Sequence, residues 1–517
     1  MVSQPPSPAS VGNLDKPLNG SRSNSLHSYN EHITGVKQDN TLSDVEKTAC
    51  STESDIIEVS FSGDDDPMCP RSMPLLRKWA IVIIICMGSL CMTCTSSIYT
   101  TTYAQMAPEF HTTQFISTIG LSSYVLGIAS GPILTSPLSE HYGRRPIYLL
   151  SWTLFIIWTI PSAVGRNIET LIISRFFNGF AGTTFLSVAG GTAGDIFARG
   201  ELQAPMAMVS SAPFVGPSLG PVIGGFINYH VHWRWTYYVM IIWAVGIWVG
   251  IVVAAPETYH PVRLREKARW MREQTGDERY RAPMEMVAHK GRRGVAMSLL
   301  RPFQLLFLEP MVLCLDIYSA VLLGILYLFF GAFPLIFRTN YGMSLWQVGL
   351  TFLGIIAGML VASASSPLWS RVRERLLLKS ESEPEYRLPP AILGGVMIPV
   401  GLFWFAWTTY ESIHWIVPIL GSAVYGCGML LVFTGIFTFL VDAYPQYAAS
   451  AMASNSFARA ALAAAFPLFG IQMYEALGYQ WASSLLAFLT LAMMPFPWLF
   501  FKYGKVLRQK SRFAVNS

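Results

Sequence analysis

Two charged residues, Asp316 and Arg459, lie inside apolar runs that are long enough to cross a lipid bilayer. A fixed charge at that depth costs on the order of 3 kcal/mol or more, so each one needs a partner or a purpose. Asp316 lies about two turns, roughly 10 Å, into its run, where a carboxyl group could take up and release a proton as its access alternates. We therefore predict that Asp316 takes part in proton coupling; the structural alternative is an acid near the inner interface that is hydrated or paired. Arg459 stands among alanines and is predicted to pair structurally with a backbone carbonyl or an acid.

The runs that carry these residues have the length of membrane-spanning helices, which need about 20 mostly apolar residues. The chain of 517 residues is 52% hydrophobic and only 13% charged, against roughly 25% charged in soluble proteins. This pattern predicts an all-α membrane protein with six plus six transmembrane helices. They are predicted over residues 79–103, 114–138, 147–164, 170–196, 204–227, 235–255, 309–333, 345–367, 388–408, 414–440, 446–474 and 481–501.

Basic residues determine the predicted orientation of these helices. Cytoplasmic loops of membrane proteins carry an excess of Lys and Arg. Here 31 of the 36 basic residues fall on one side of the membrane if the chain starts on that side. We therefore predict a multi-pass membrane protein with both termini in the cytoplasm. The plasma membrane is its expected location. The net charge of +5 follows from this arrangement, so no nucleic-acid partner is expected.

The chain divides into five predicted regions. Residues 1–78 are rich in Ser, Asn, Asp and Pro and are predicted to form a disordered cytoplasmic tail, because they have few large apolar residues to bury. Residues 79–255 and 309–501 are the two helix bundles. Residues 256–308 are basic and amphipathic, and are predicted to lie on the inner membrane face as a central loop. Residues 502–517 form a second cytoplasmic tail.

A short polar stretch between the second and third helices holds several charged and turn-forming residues. Gly143 supplies backbone freedom for the turn, and Arg144 and Arg145 resist crossing the membrane. Glu140 is placed one turn away, where it could complete an ion-pair gate. His141 is the neighbour of that acid and can be neutral at pH 7, so it would make such a gate weaker or pH-sensitive.

This stretch resembles the G-x-L-x-D-R-x-G-R-R signature of the major facilitator superfamily, which lies in the same place. Ser136, Glu140 and His141 stand where the signature has Gly, Asp and Arg. A faint repeat, Ser136-Pro137-Leu138 against Ser366-Pro367-Leu368, indicates two pseudo-symmetric halves with a site at their interface.

The resemblance also implies roles for individual residues. In the superfamily, acids that close the fourth and tenth helices pair with the basic loops, lock the outward-open state and separate as the halves rock. The residues so implied for a cytoplasmic gate are Glu140, His141, Gly143, Arg144, Arg145, Asp195, Asp442 and Arg371. Arg175, in the fourth helix, stands where the family has an arginine associated with proton transfer. Snorkelling of Arg175 to the outer interface is the structural alternative.

The fifth helix carries glycines four residues apart, which make a flat face for close helix contact, and two prolines that kink it. Its string resembles the antiporter motif of drug exporters, G-x-x-x-G-P-x-x-G-G, and matches every fixed position: Gly216, Gly220, Pro221, Gly224 and Gly225, with Pro217 between them. Residues 96–99, 327–330 and 466–469 extend the resemblance to the fungal twelve-span drug:proton antiporters, over nearly all of 64–510.

Aromatic residues are the best indication of the substrate. The first, seventh and tenth helices line the cavity in this superfamily, and they carry the candidates Tyr99, Tyr318, Tyr327, Tyr425 and Phe433. Such a pocket would favour flat amphipathic organic molecules, or cations through the ring faces.

The sequence therefore predicts a proton-coupled antiporter that exports amphipathic drugs, toxins or fungal metabolites. It is expected to work as a monomer in the lipid bilayer, with the proton gradient as its energy source and no cofactor. A nutrient uptake permease and a non-transporting membrane sensor stay open as alternatives. An enzyme is not expected, because no nucleophile–base pair or metal cluster is recognisable, and Cys91-x-x-Cys94 lacks a second pair.

Overall fold

The computed structural model describes residues 56–63, 66–198, 200–287, 293–378, 383–509 and 511, with the backbone alone for 287, 293–300 and 446. Twelve helical segments within these ranges are long and apolar enough to cross a membrane. We number them spans 1 to 12: Leu75–Glu109, Gln114–Tyr142, Arg144–Val164, Ile168–Ile196, Gln203–His230, Arg234–Ala254, Pro310–Tyr341, Leu345–Leu377, Pro389–Trp407, Ile416–Ala443, Ala448–Leu477 and Tyr479–Gln509.

Four of the spans consist of consecutive helices. Span 1 joins Leu75–Ile98 to Tyr103–Glu109 through the 3₁₀ turn Tyr99–Thr102. The pieces of the others are Ile168–Gly182, Thr184–Ser187 and Ala189–Ile196 in span 4; Leu345–Thr351, Leu353–Ala364 and Ser366–Leu377 in span 8; and Tyr479–Met493 and Pro495–Gln509 in span 12. Short 3₁₀ turns at Pro70–Ser72, Pro384–Arg387 and Pro445–Tyr447 precede spans 1, 9 and 11.

The twelve-helix prediction is confirmed, and the helix ends differ from it in a consistent way. Span 7 continues to Tyr341 and span 12 to Gln509, about two turns beyond their predicted ends. These extensions carry polar or charged residues. A prediction from hydropathy therefore ends each helix where its apolar run ends, although the helical backbone continues. The prediction of 502–517 as a tail is therefore wrong for 502–509, and most of the remainder lies outside the described residues.

The two halves of the molecule repeat one pattern of helix pairs. In spans 1–6, span 1 packs on span 5, span 2 on span 4, and span 3 on spans 4 and 6. In spans 7–12, span 7 packs on span 11, span 8 on span 10, and span 9 on spans 10 and 12. The halves meet where span 2 packs on span 11 and span 5 packs on span 8. The chain therefore forms two pseudo-symmetric six-helix bundles.

Between the halves runs a linker with three helices, His260–Thr275, Pro283–Val287 and Arg293–Leu308. We call the side of the bundle where it lies the linker side. The last helix packs on span 11, where the rings of Phe303 and Phe457 meet at 5.3 Å. The residues between the second and third helices, 288–292, lie outside the described residues.

Residues 57–63 and 66–74, which precede span 1, contain regular structure and pack against the linker, so the predicted disorder of residues 1–78 is wrong for them. Strand β1 (Ile57–Glu58) pairs in parallel with strand β2 (Tyr280–Arg281) of the linker. Val59 is buried against the linker residues Ala268 and Ala282. Composition alone predicted disorder because the partner of these few apolar residues is more than 200 positions away in the sequence.

One buried ion pair fastens this segment to the linker. Lys267 Nζ donates to Asp66 Oδ2 at 2.6 Å and to the Ser60 carbonyl at 2.9 Å. The hydrogen bond from Lys267 is the main reason that the pKa of Asp66 falls to about 2. We call residues 57–63, 66–72 and 260–287 the tail–linker platform. The prediction of disorder for residues 1–55 lies outside the described residues.

Candidate functional site

The structure buries Asp316 completely, on the linker-side half of span 7. Its carboxylate accepts hydrogen bonds from Ser454 Oγ at 2.5 Å and Asn455 Nδ2 at 2.9 Å, both on span 11. Asn455 Nδ2 also donates to Ser319 Oγ at 2.7 Å. A buried carboxyl group that is held by neutral donors, and that has no carboxylate–cation contact in the described residues, can exchange a proton without breaking an ion pair.

Arg459 lies on span 11, one turn beyond Asn455. Its guanidinium carbon is 4.8 Å from the ring centre of Phe437 and 5.6 Å from those of Phe214 and Phe433. Its Nε atom is buried and has no hydrogen-bond partner in the described part of the chain. The predicted pairing with a carbonyl or an acid is therefore wrong, because the cation faces aromatic rings instead.

Phe214 belongs to span 5 of the first half, whereas Phe433, Phe437 and Arg459 belong to the second half. The rings of Phe214 and Phe433 stack at 4.5 Å with 19° between their planes. The contact around Arg459 therefore joins the two halves. Phe433, a predicted cavity residue, lies in this contact.

Arg175 is also buried, with 1% of its surface exposed, so it does not snorkel to the outer interface. Its guanidinium donates to the Gly120 carbonyl at 2.8 Å and to the Ser96 carbonyl at 3.0 Å. The rings of Tyr99 and Tyr124 cover it at 4.0 and 4.8 Å. Carbonyl dipoles and ring faces thus hold this cation between spans 1, 2 and 4, with no carboxylate within ion-pair distance among the described residues.

The five predicted cavity aromatics separate into two groups. Tyr99 covers Arg175, Phe433 stacks on Phe214, and Tyr327 Oη hydrogen-bonds Ser96 Oγ across the halves at 2.8 Å. Tyr425 instead donates to the Leu322 carbonyl at 2.7 Å, and Tyr318 lies near Gly395 of span 9. The prediction is wrong for these last two, because they face the core of the second half.

A cavity of about 900 Å³ opens between the halves on the linker side. Its walls come from spans 1, 5 and 8, not from the predicted spans 1, 7 and 10, and are mostly apolar. The lining includes Cys86, Met87, Met208, Val215 and Leu360, with Ser211, Ser363 and Glu201 as polar members. None of the five predicted aromatics lines it. Ser211 and Ser363 meet across the halves at 3.3 Å.

The glycines of span 5 face two neighbouring helices. A methyl group at Gly216, Gly220 or Gly224 would overlap a hydroxyl group of span 1, at Thr93, Ser97 and Thr101 in turn. Gly225 faces span 8, where an added Cβ would lie 2.9 Å from the Leu345 carbonyl. The string therefore allows close packing both within the first half and against the second. Pro217 and Pro221 are buried inside a helix that runs unbroken from Gln203 to His230.

At the turn between spans 2 and 3, the main partner is an acid that sequence reasoning missed. Glu257 accepts the backbone N–H groups of Arg144 and Arg145 at 2.9 and 3.1 Å, and so caps the first turn of span 3. Gly143 has φ +101°, and a side chain there would overlap this carboxylate. The tripeptide Pro256-Glu257-Thr258 at the start of the linker is the sequence signal for this acid.

Arg144 lies at the centre of this cluster. Its Nε is 3.2 Å from Asp195 Oδ2, its Nη1 donates to Ser139 Oγ at 2.8 Å, and its guanidinium covers the Tyr259 ring at 4.6 Å. His260 Nδ1 approaches Asp195 Oδ1 at 3.7 Å. Arg145 instead donates to the Val252 carbonyl at 3.2 Å. The cluster therefore joins spans 2, 3, 4 and 6 to the linker.

Two predicted members of the gate lie outside this cluster. Glu140 and His141 are exposed, and neither forms an ion pair with a residue that the structure describes. His141 only contacts the neighbouring Tyr142 ring, at 4.8 Å. The helix continues to Tyr142, so both residues belong to its last turn and are not part of the loop between the spans. The predicted ion-pair gate at Glu140 is wrong, because Asp195 and Glu257 fill that role.

In the second half, Asp442 pairs with other arginines than the predicted one. Arg387 Nε lies 2.7 Å and Arg373 Nη2 3.5 Å from Asp442 Oδ2, whereas Arg371 points to the exposed surface. Arg371, Arg373 and Arg375 alternate along one helix, and only its rotation decides which one faces span 10. Like the pair of Arg144 with Asp195, these pairs lie within one half, so they do not join the halves as predicted.

The family model described as "Major Facilitator Superfamily" matches residues 85–467, which is most of the chain. The chain belongs to the major facilitator superfamily. Superfamily membership accounts for the two pseudo-symmetric halves and for the site at their interface.

Two relatives are similar to this chain over about nine tenths of their length. The chain is 50% identical over 474 residues to "Efflux pump atB" of Aspergillus terreus, covering 90% of this chain and 91% of that protein. It is 40% identical over 463 residues to "Probable drug/proton antiporter YHK8" of Saccharomyces cerevisiae, covering 88% and 90%.

Among solved structures, the chain resembles the proton:xylose symporter XylE, with a TM-score of 0.59 and 16% identity over 82% of this chain and 96% of that one. At this level of identity the similarity concerns the fold, which the two superfamily members share.

Proposed function

We propose that this chain is a proton-coupled antiporter that exports amphipathic small organic molecules by alternating access between its two halves. The observation that carries the proposal is Asp316, a fully buried carboxyl group in the second half of a fold whose halves meet around a cavity. An ionisable residue inside a membrane span is a functional-site hypothesis by default, and acids in such positions form proton relays in pumps and transporters. The names of the relatives, an efflux pump and a probable drug/proton antiporter, support export as the direction.

The chemistry of the site is a change of charge rather than a covalent reaction. In the ionised state Asp316 accepts bonds from Ser454 and Asn455. A proton neutralises it, so the electrostatic balance at the interface of spans 7 and 11 changes with each turnover. Arg175 is proposed to supply a fixed positive charge in the first half and to hold spans 1, 2 and 4 together. The proton gradient is the energy source, and no cofactor is invoked.

The cavity suits molecules with a large apolar surface and a few polar groups. Its lining is apolar apart from scattered serines, the amide of Gln203 and one acid, Glu201. Its volume of about 900 Å³ is at the upper end of the range of roughly 300–1,000 Å³ that holds drug-sized ligands. Substrates are therefore proposed to be amphipathic drugs, toxins or secondary metabolites.

The linker side is proposed to face the cytoplasm of the cell, with the protein in the plasma membrane as a monomer. The basic residues concentrate on that side, as the positive-inside rule requires. The cavity then opens toward the cytoplasm, where an exporter must collect its substrate. The clusters around Arg144 and Asp442 are proposed to keep the linker-side end of each half rigid as the halves rock.

The proposal is tested with purified protein in liposomes that have an acidic lumen. A panel of flat amphipathic dyes, beginning with rhodamine 6G, is added outside, and accumulation is followed by fluorescence quenching. We expect accumulation that nigericin abolishes and that Asp316→Asn reduces at least about tenfold, whereas Glu140→Gln at the exposed surface leaves it unchanged. Accumulation that ignores the pH gradient, or that survives Asp316→Asn, would refute proton coupling at this residue.

A further inference from the structure

Arg459 keeps part of its surface open at the boundary between the two halves. Its Nε atom is enclosed, whereas its two Nη atoms are open, and none of the three donates a hydrogen bond to an atom in the described part of the chain. Among the same residues, no carboxylate lies within ion-pair distance of the guanidinium. Three phenylalanine rings surround it instead. Ring faces attract a cation, but they leave the N–H donors of the guanidinium without an acceptor.

The position of Arg459 is close to the middle of the membrane. Arg459 lies eleven residues after the start of span 11 at Ala448, and Phe214 lies eleven residues after the start of span 5 at Gln203. At about 1.5 Å per residue, both lie roughly 16 Å from the linker-side ends of their spans. The hydrocarbon core of a bilayer is about 30 Å thick. A charged side chain at that depth is costly and rare, and it usually serves a function.

The cavity between the halves ends next to this cluster. Of the residues of span 5 that line the cavity, Val215 lies farthest from the linker side. Phe214 directly precedes Val215, and its ring stacks on Phe433 of the second half. Phe437, whose ring is the nearest to the guanidinium, is partly buried, as Arg459 is. The inner end of the cavity therefore adjoins an open guanidinium group and an aromatic wall.

This combination fits an aromatic acid better than an aromatic cation. A carboxylate accepts two parallel hydrogen bonds from a guanidinium, and such bonds are roughly twice as strong as bonds between neutral groups. Aromatic rings favour a flat aromatic body through offset stacking or edge contacts. A substrate cation would instead meet the positive charge of Arg459, and the ring faces that could attract it already cover that charge.

We propose that Arg459 and the phenylalanine rings around it form a substrate subsite, and that this subsite selects flat aromatic acids in their carboxylate form. The Nη atoms of Arg459 bind the carboxylate, and the ring of Phe437 packs against the aromatic body. This inference rests on the proposed function and names the class of its substrate. Because Phe214 belongs to the first half and Arg459 to the second, movement of the halves exposes the subsite to each side of the membrane in turn.

The test measures binding to the purified full chain in lipid nanodiscs by isothermal titration calorimetry, and it needs no transport. Two probes of the same shape are compared: 2-naphthoate, which has a carboxylate, and 2-naphthamide, which has a neutral amide. We expect 2-naphthoate to bind at least about tenfold more tightly. Arg459→Gln should reduce this preference to within about twofold. Arg375→Gln, at an exposed arginine of span 8, should leave the preference unchanged.

Two further variants separate the charge from the geometry of the subsite. Arg459→Lys keeps the charge but lacks the planar fork, so the preference should fall to an intermediate value of about two- to fivefold. Phe437→Leu removes the nearest ring, so it should weaken both probes at least about threefold without changing the ratio of their affinities. Phe469→Leu, at an exposed position of span 11, should weaken neither probe. The ratio also excludes misfolding as an explanation, because a misfolded fraction lowers the binding of both probes alike.

Equal affinities of the parent chain for the two probes would overturn the inference, and so would a preference for 2-naphthoate that persists in Arg459→Gln. A Phe437→Leu chain that binds both probes like the parent would refute the aromatic part of the subsite.

The proposed function is tested separately, by accumulation of 2-naphthoate in liposomes with an acidic lumen. Passive diffusion carries a weak acid out of such a lumen, so accumulation requires transport. Binding through Arg459 without accumulation would refute antiport and leave the subsite intact. Accumulation of rhodamine 6G that follows the pH gradient, in a chain that binds the two probes equally, would leave antiport intact and refute the subsite.

Discussion

At the scale of single residues, this protein stabilises buried charge in three different ways. Arg508 and Glu385 are both about 1–2% exposed and form a direct ion pair at 2.8 Å. Arg175 uses carbonyl oxygens and tyrosine rings instead. Asp316 uses a hydroxyl and an amide. A change of charge at Arg508 or Glu385 would break a salt bridge, and the guanidinium of Arg175 does not release its proton. Asp316 is therefore the strongest candidate among these groups for the proton site.

The cap at span 3 gives a prediction for a single carboxylate. Glu257→Gln weakens two charge-assisted hydrogen bonds to the backbone of Arg144 and Arg145, and removes a negative charge from a helix N-terminus. We expect a loss of about 1–3 kcal/mol of stability, measured as a lower midpoint of thermal unfolding in detergent. Glu140→Gln, an exposed acid at the same turn, is the control. Equal midpoints for the two variants would contradict the role of Glu257.

At the scale of helices, the glycine face of span 5 determines how closely spans 1 and 5 approach. An added Cβ at Gly220 would overlap Ser97 Oγ and lie 2.7 Å from the Ile98 backbone nitrogen. The backbone cannot move aside as a flexible side chain can. The spacing of four residues alone predicted a face of this kind, but not which helix it meets, because the partner depends on the arrangement of the whole half.

The same substitution at two glycines tests this face. Gly220→Ala should lose about 1–3 kcal/mol through overpacking, and efflux should fall with it. Gly246→Ala in span 6 has open space around it, so the higher helix propensity of alanine should stabilise it by roughly 0.5–1 kcal/mol. Thermal unfolding followed by tryptophan fluorescence measures both. Midpoints that move in the same direction would rule out close packing as the reason for Gly220.

The tail–linker platform gives a prediction about pH. Lys267 lowers the pKa of Asp66 to about 2, below its ordinary value near 4. The stabilisation from the ionised acid is therefore fully present above about pH 4 and is lost as the pH falls toward 2. Amide exchange at Ile57 and Val59, corrected for intrinsic rates, should be constant at neutral and mildly acidic pH.

Asp66→Asn should accelerate that exchange under the same conditions, because it removes the charge that Lys267 pairs with. Glu58→Gln is the control, since Glu58 belongs to the same strand but has an exposed side chain. Unchanged exchange in the Asp66 variant would show that β1 and its apolar residues hold the platform without the ion pair.

At the scale of the whole molecule, the halves touch on both sides of the cavity. On the side away from the linker, Ser122 Oγ donates to the Ala464 carbonyl at 2.6 Å, and Gly225 meets span 8. Alternating access requires these contacts to break when the opposite side opens. The structure therefore shows a state in which the opposite side is closed, while the linker side contains the cavity.

A reversible cross-link tests this requirement. In a chain with Ser122→Cys and Ala464→Cys, oxidation should close the opposite side and abolish dye accumulation, and reduction should restore it. The Ser122→Cys chain alone should respond to neither treatment. Full transport in the oxidised double variant, with the disulfide verified by mass spectrometry, would contradict movement of span 2 against span 11.

Much of this architecture could be predicted from the sequence, because a helix that crosses a bilayer needs a long apolar run. The basic residues then indicate which way each helix crosses. The same runs placed Asp316 and Arg175 inside spans, but they left open whether Arg175 snorkels to the outer interface. The contact partners of the charged residues could not be predicted from the sequence. Glu257, Arg387 and Phe214 are far in sequence from the groups they contact, and helix rotation decides which of several similar side chains reaches a partner.

The linker divides its attachments between the two bundles. The beginning of the linker is held to spans 3 and 4 by Glu257, Tyr259 and His260. The tail–linker platform continues from this end of the linker, whereas the last helix of the linker packs on span 11. An antibody fragment bound to the platform would consequently move with the first bundle alone. In electron micrographs the fragment would serve as a fiducial for the first bundle. The tilt of the second bundle relative to it could then be measured in each particle class.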